Sequence, residues 1–144
     1  MEPAVAGLRS DYATGKLPLL RIPEETTDIV AAEAALAKLS QGARTIIFFG
    51  TGGSGLGGQT LAQIAGWNIP GGAKVYQRKH PRTRFYDNLD PMTVAGAFAG
   101  MNLSEMRFVV TSKSGGTTET LVQAITALHA VKVAGLEKRI PELF

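Results

Sequence analysis

One plan recurs twice along this chain: a short apolar run, a loop of glycine and hydroxyl residues, and then a helical pattern. The first run is Arg44-Thr-Ile-Ile-Phe-Phe49 and the second is Arg107-Phe-Val-Val-Thr-Ser112. Continuous β-branched and aromatic runs of this length suit strands covered on both faces, as in a parallel sheet. Strand, loop and helix in series therefore predict an α/β fold, with a mainly parallel sheet held between helices in three α/β/α layers.

Around these two units the punctuation is clear in places and sparse in others. Residues 8–12 could begin a helix, but Gly15, Pro18 and Pro23 interrupt it, and the first 23 residues carry no firm assignment. A helix is predicted over about 26–40, with Ile29, Ala32, Leu36 and Leu39 on one face and Gly42 ending it. After the first glycine loop, 50–58, a helix is expected over 59–67 with Leu61, Ile64 and Ala65 inward. Pro70-Gly-Gly72 marks a turn, and short strands are expected at 74–77 and 84–87 around a basic loop, 78–83. Asp90 before Pro91 is an N-cap with proline at the first helical position, opening a small-residue helix to about Gly100. The last long helix, 117–134, has a predicted core stripe of Leu121, Ile125, Leu128 and Val131 and stops at Gly135. Pro141-Glu-Leu-Phe144 suggests the approach to another strand. Residues 1–43 are accordingly expected as a helical extension, and 44–144 as the ligand-binding domain.

Composition narrows the chemistry. A length of 144 residues suits one domain, and the absence of cysteine removes disulfides and thiolate metal sites. The net charge of +3 is too small to call for nucleic acid. No apolar run is long enough to span a bilayer and no basic segment precedes an apolar one near the N-terminus, so a cytoplasmic protein without membrane partners is expected.

Chemistry concentrates in the two loops. Gly50-Thr-Gly-Gly-Ser-Gly-Leu-Gly-Gly58 holds six glycines in nine residues, which lets a ligand approach the backbone amides at the start of a helix. Gly50-x-Gly52-x-x-Gly55 also satisfies the dinucleotide fingerprint, but that motif expects an acid about 20 residues on, where Gln77 and Arg78 stand. An NADP-type module using Arg78 is therefore a second reading. Ser112-Lys-Ser-Gly-Gly-Thr-Thr-Glu-Thr120 offers the hydroxyls of Ser112, Ser114, Thr117 and Thr118, the cation of Lys113, and Gly115-Gly116, whose successive amides could converge on one point. A helix N-terminus follows, so this loop is expected to hold an anion, most plausibly a phosphomonoester. No Gly-Lys-Ser/Thr stands at P-loop spacing. Both loops follow buried strands, and ligands of open parallel sheets gather at the carboxyl ends of such strands.

Three motifs in order, Gly50-Thr-Gly-Gly-Ser54-Gly-Leu-Gly, Asp87-Asn-Leu-Asp-Pro91 and Ser112-Lys-Ser-Gly-Gly-Thr-Thr-Glu-Thr120, resemble those of glucose-6-phosphate isomerases over about residues 44–135. The resemblance implies a sugar isomerase (SIS) domain of flavodoxin-like build that binds sugar phosphates, with a phosphate or sulfate ion as the simplest ligand. By position, Ser112, Lys113, Ser114 and Thr117 would hold the phosphate, Gly53 and Ser54 would touch the sugar, and Glu119 would lie close to the catalytic groups as an accessory. The third motif is the most specific. Asp87–Pro91 looks like a structural corner. Family enzymes carry two SIS subdomains and take their catalytic glutamate, arginine and histidine from later segments or a partner chain. Nothing after Gly135 matches those, so the expectation is a binding domain without the catalytic base, needing no cofactor and no metal. A non-catalytic SIS-type sensor or interaction domain is the further alternative, and an unpaired sheet edge would favour a homodimer.

The remaining features have ordinary explanations. Arg78, Lys79, His80, Arg82 and Arg84 form a basic cluster without stacking partners, better suited to a solvated loop than to nucleic acid. His80 is expected on the surface, and His129 on a helix face. Asp87 and Asp90 stand beside Asn88 and Pro91, which favours turn and cap roles over a metal pair. Trp67 and the helix after Pro91 are expected to pack.

Overall fold

The computed structural model describes residues 2–66 and 80–144. Two compact units make up the chain, Met1–Lys38 and Leu39–Phe144.

In the first unit, helix α1 (Glu2–Thr14) stops where Gly15 takes φ +69°, and a 3-10 turn follows over Pro18–Glu24. The helix thus starts well before the 8–12 stretch that the sequence marks. A clasp joins the two: the Tyr12 hydroxyl and the Arg21 Nε (2.9 Å) both donate to the Glu24 carboxylate, and the Arg21 guanidinium lies 5.5 Å from the Tyr12 ring centroid. Helix α2 (Thr27–Leu39) begins after Glu25, whose carboxylate accepts from the Thr27 amide at 2.9 Å. Its expected inward stripe is not buried: Ile29 and Leu36 are both exposed, and no residue of α2 is buried. Alanine propensity forms this helix without a core face.

The second unit is an α/β layer structure. Its sheet has three parallel strands in the order β2-β1-β3: β1 (Thr45–Phe49) at the centre, β2 (Arg82–Tyr86) and β3 (Met106–Val110) beside it. Phe49 pairs with Tyr86 on one side and Val110 on the other, so all three carboxyl ends emerge at one level. Expected strand boundaries move by one or two residues. Arg82 and Thr83, assigned by sequence to the basic loop, belong to β2. The expected strand at 74–77, the turn at 70–72, Trp67, Gln77, Arg78 and Lys79 lie outside the described residues.

Side chains alternate across the sheet. One face carries Ile47, Phe49, Met106 and Phe108, packed with Ala127 and Val131 of helix α5 (Thr118–Val133) and Leu143 of the short helix α6 (Ile140–Leu143). Phe98 of helix α4 (Pro91–Phe98) joins them, its ring 6.2 Å from Phe108. The other face carries Ile46, Phe48 and Phe85, with helix α3 (Gly53–Ile64) against it through Gly58 and Phe85. The result is α/β/α in three layers, as the recurring unit predicts.

Further expectations about the helices fail for physical reasons. Helix α3 begins at Gly53, inside the loop expected to run to Gly58. Its sheet-facing positions are the small Gly55 and Gly58, while Leu61 (69% exposed) and Ile64 (79%) face outward. A Cβ on Gly58 would stand 2.9 Å from the Phe85 ring, so a larger residue would have to displace that ring. In α5 the buried stripe is Thr120, Gln123, Ala127 and Val131; Leu121 and Ile125 are exposed and Leu128 is half-buried. Of the expected stripe Val131 is buried as predicted; the rest of the contact falls to Thr120, Gln123 and Ala127, round the helix from the bulky residues. The C-terminal segment is helical: a 3-10 turn (Glu137–Arg139) leads into α6, which buries Leu143 completely, and the adjoining Phe144 stacks on Phe108 at 4.7 Å.

Candidate functional site

The loops after β1 and β3 leave from adjacent strands at the same level, and the Thr111 amide extends the ladder by donating to the Phe49 carbonyl at 2.9 Å. Their positions as neighbours follow from this register.

The β3–α5 loop folds on its own hydroxyls. Ser112 Oγ lies 3.1 Å from Thr117 Oγ1 and accepts from the Gly115 amide at 3.0 Å. Ser114 Oγ accepts from the Gly116 amide at 3.2 Å. Gly115 adopts φ +73°, the left-handed turn that glycine accommodates without strain. The two glycine amides therefore address two different serine oxygens and do not converge on one point, as the sequence suggests they could. Ser114 Oγ, having only accepted, retains its hydroxyl proton to give, and the Ser112–Thr117 pair, which uses one proton between its two oxygens, retains the other.

Thr117 is the N-cap of α5, with φ −67° and ψ 112°, yet its side chain caps no amide. The first amides of a helix have no partner inside it and carry the positive end of its dipole. Hydroxyl protons and helix-terminal amides thus lie within one short segment. Lys113, Ser114 and Glu119 are exposed, and Ser112 and Thr117 are half-buried. The structure brings Ser112, Ser114 and Thr117 into one bonded loop; it leaves Lys113 and Glu119 at the surface beside it.

The β1–α3 loop is tighter. Gly52 takes φ +53° and ψ −130° as the N-cap of α3. Gly53 occupies the first helical position, exposed, with nothing within 4 Å of where a Cβ would stand, and Ser54 is half-buried next to it. A backbone contact requires Gly55, Gly50 and Gly58 sit against close neighbours, and Gly53 and Gly57 have open space around them. Packing thus accounts for part of the glycine content, and Gly53 marks the open part.

The corner between β2 and α4 holds its shape by local bonds. Asn88 Oδ1 accepts from the Asp90 amide at 3.1 Å, and Asp90 Oδ2 accepts from the Thr93 amide (2.7 Å) and hydroxyl (2.6 Å), capping α4 as expected. These bonds hold the Asp90 carboxyl below its ordinary value. Among the described residues, no group of three or more His, Asp or Glu could hold a metal ion, and no helix is long and apolar enough to cross a membrane.

Sequence reasoning missed two buried polar residues. Gln123, 2% exposed, donates from Nε2 to the Asn88 carbonyl at 2.9 Å, tying α5 to the corner. Arg107, 4% exposed, donates to the carbonyls of Met106 (2.8 Å), Ser104 (3.2 Å) and Gln41 at the amino end of the sheet; burial lowers its pKa. Arg107 was assigned to a strand but its cross-linking role has no sequence signal. Gln123 could have been found from its helical spacing with Thr120, Ala127 and Val131.

Residues 25–141 match the phosphoglucose isomerase family. Glucose-6-phosphate isomerase of Treponema pallidum is 36% identical over 93 residues, covering 64% of this chain and 16% of that protein. Those of Citrifermentans bemidjiense and Geobacter sp. strain M21 are 34% identical over 131 residues and 33% over 136, covering 83% and 86% of this chain and 23% and 24% of their own lengths. The chain thus spans about a quarter or less of these curated relatives. No solved structure matches it significantly.

Proposed function

The chain belongs to the phosphoglucose isomerase family, and we propose that its β3–α5 loop receives the phosphate of a hexose phosphate. The observation that carries this reading is the Ser112–Thr117 hydroxyl pair, 3.1 Å apart, at the mouth of a helix that Thr117 leaves without a side-chain cap. A phosphate dianion offers acceptors and no obligatory donor, which complements hydroxyl protons, helix-terminal amides and the Lys113 ammonium. Ser112, Lys113, Ser114 and Thr117 hold the phosphate in this reading. The sugar lies toward the β1–α3 loop, where Gly53 leaves room for close approach and Ser54 supplies a hydroxyl.

Interconversion of glucose 6-phosphate and fructose 6-phosphate moves a proton between neighbouring carbons and needs a base of tuned pKa within hydrogen-bond reach. The proposal gives this chain binding and orientation, with Glu119 as an accessory carboxylate, and leaves proton transfer to groups outside it.

Calorimetric titration with fructose 6-phosphate and glucose 6-phosphate in phosphate-free buffer tests the reading. Saturable binding is expected, and its loss in Ser114→Ala and Thr117→Ala. A folded sample that gives no binding at millimolar ligand overturns it. NADP binding that survives both substitutions would favour the dinucleotide reading instead.

A further inference from the structure

Buried polar side chains are costly unless they are used, because burial strips water from groups that then need partners. The buried stripe of α5 is divided in this respect. Its later half, Ala127 and Val131, is apolar, whereas its first half, Thr120 and Gln123, is polar and equally buried, at 1% and 2% exposure. Packing alone would accept Leu or Met at position 123. Thr120 Oγ1 and Gln123 Oε1 have no hydrogen-bond partner among the described residues, so these two positions carry a cost that the apolar half avoids.

What Gln123 does make is one directed bond, from Nε2 to the Asn88 carbonyl, 35 residues away in sequence and 2.9 Å in space. Asn88 is itself fixed by its Asx turn to the Asp90 amide, and Asp90 by its cap on α4. The partner is therefore a rigid point. Apolar contacts set how close a helix lies to a sheet, but they resist rotation about its axis weakly; a directional bond resists it strongly. Gln123 lies less than two helical turns from Thr117, so any rotation it prevents is rotation of the first-turn amides.

We propose that Gln123 is a positioning residue for the anion site: by bonding the Asn88 carbonyl it fixes the rotation of α5 and so the aim of the Thr118, Glu119 and Thr120 amides and the place of Thr117. This rests on the phosphate reading of the β3–α5 loop and extends it to a residue that touches no ligand. The corner at 87–91 thereby serves the phosphate site from a distance, through one side chain.

The test uses the whole chain, labelled with nitrogen-15, and inorganic phosphate as the probe. In the wild type, phosphate is expected to shift the amide resonances of residues 112–120 saturably. Gln123→Met keeps the volume and removes the donor; it should weaken phosphate about tenfold, the scale of one directed hydrogen bond, and raise hydrogen exchange at residues 121–124, where the bonded amides of α5 begin with Leu121 donating to the Thr117 carbonyl. Ala127→Gly loosens the same helix from its apolar half and is the structural control. It should lower the denaturation midpoint without weakening phosphate. A wild type that shows no phosphate-dependent shifts overturns the phosphate reading and this inference with it. A wild type that binds phosphate, with Gln123→Met binding equally well, overturns the inference alone. Equal weakening by Ala127→Gly and Gln123→Met at matched stability also overturns it, since positioning would then be no more than helix stability.

Discussion

Gly55 approaches Gly50 so closely that a Cβ on Gly55 would stand 2.5 Å from the Gly50 carbonyl oxygen, and that oxygen belongs to the backbone. The turn that carries β1 into α3 is built on this contact. Gly55→Ala should therefore displace the loop and destabilise the domain by about 1–3 kcal/mol, the usual range for overpacking. Gly57→Ala, in the same helix with open space around it, should instead be neutral or stabilising by about 0.5–1 kcal/mol. Urea denaturation of the two variants compares them directly; equal effects would mean that the contact does not constrain the turn.

Gly53→Ala separates folding from binding in the same loop. The position is open and helical, so thermal unfolding should be unchanged or slightly raised. Hexose phosphate affinity should fall, because the added methyl occupies the approach to the first amides of α3. Unchanged affinity would exclude Gly53 from the sugar contact.

Ser114→Ala and Thr117→Ala should each cost about 1.5–3 kcal/mol of phosphate-ester binding, the range for a hydrogen bond to a charged group. Ser112→Ala should cost more than either, since Ser112 also accepts from the Gly115 amide and pairs with Thr117. Isothermal titration of the three variants gives the order.

Leu143→Ala should destabilise the domain by about 2–4 kcal/mol, as for other fully buried leucines. Its side chain lies in the cluster with Phe108 and Val131, and the neighbouring Phe144 stacks on Phe108. A loss below about 1 kcal/mol in chemical denaturation would show that the C-terminal turn is dispensable to the core.

Asp90 links stability to acidity. Its bonds to Thr93 hold the folded carboxyl below its ordinary value near 3.8. A group lowered on folding stabilises the folded state above its unfolded pKa, and that contribution fades as pH falls through the folded value. Asp90→Asn should thus be less stable than the wild type at neutral pH, and the gap should narrow as the pH falls below the ordinary value near 3.8. Parallel curves over the whole range would remove the Asp90 carboxylate from the balance.

β1 and β3 were legible in the sequence because each holds an apolar β-branched and aromatic run, whereas the start of β2, Arg82-Thr-Arg84, reads as part of a basic loop; the cap at Asp90 was legible because proline follows it. The helix faces were not. Weighing side chains by apolar bulk puts Leu121 and Ile125 inward, and Leu61 and Ile64 likewise, whereas α3 meets the sheet through Gly58 and α5 buries Thr120, Gln123, Ala127 and Val131. Periodicity finds the helix, but steric fit against Phe85 or the Phe108 cluster chooses its face. The loops could be assigned to anion chemistry from composition alone. Which amides remain to serve an anion depends on where Gly115 and Gly116 donate, and that is decided by backbone turns with no residue signature beyond glycine itself.

Arg107 gives the domain a direction. Its buried guanidinium gathers three carbonyls from two segments at the amino ends of the strands, while the opposite ends carry loops closed mainly by short-range bonds between neighbours. One end of the sheet is thus riveted and the other is adjustable. Sequence change should be tolerated asymmetrically along the strand axis: residues can vary at the loop end and redirect what is held there, but the same freedom at the rivet would dissolve the frame on which those loops are mounted.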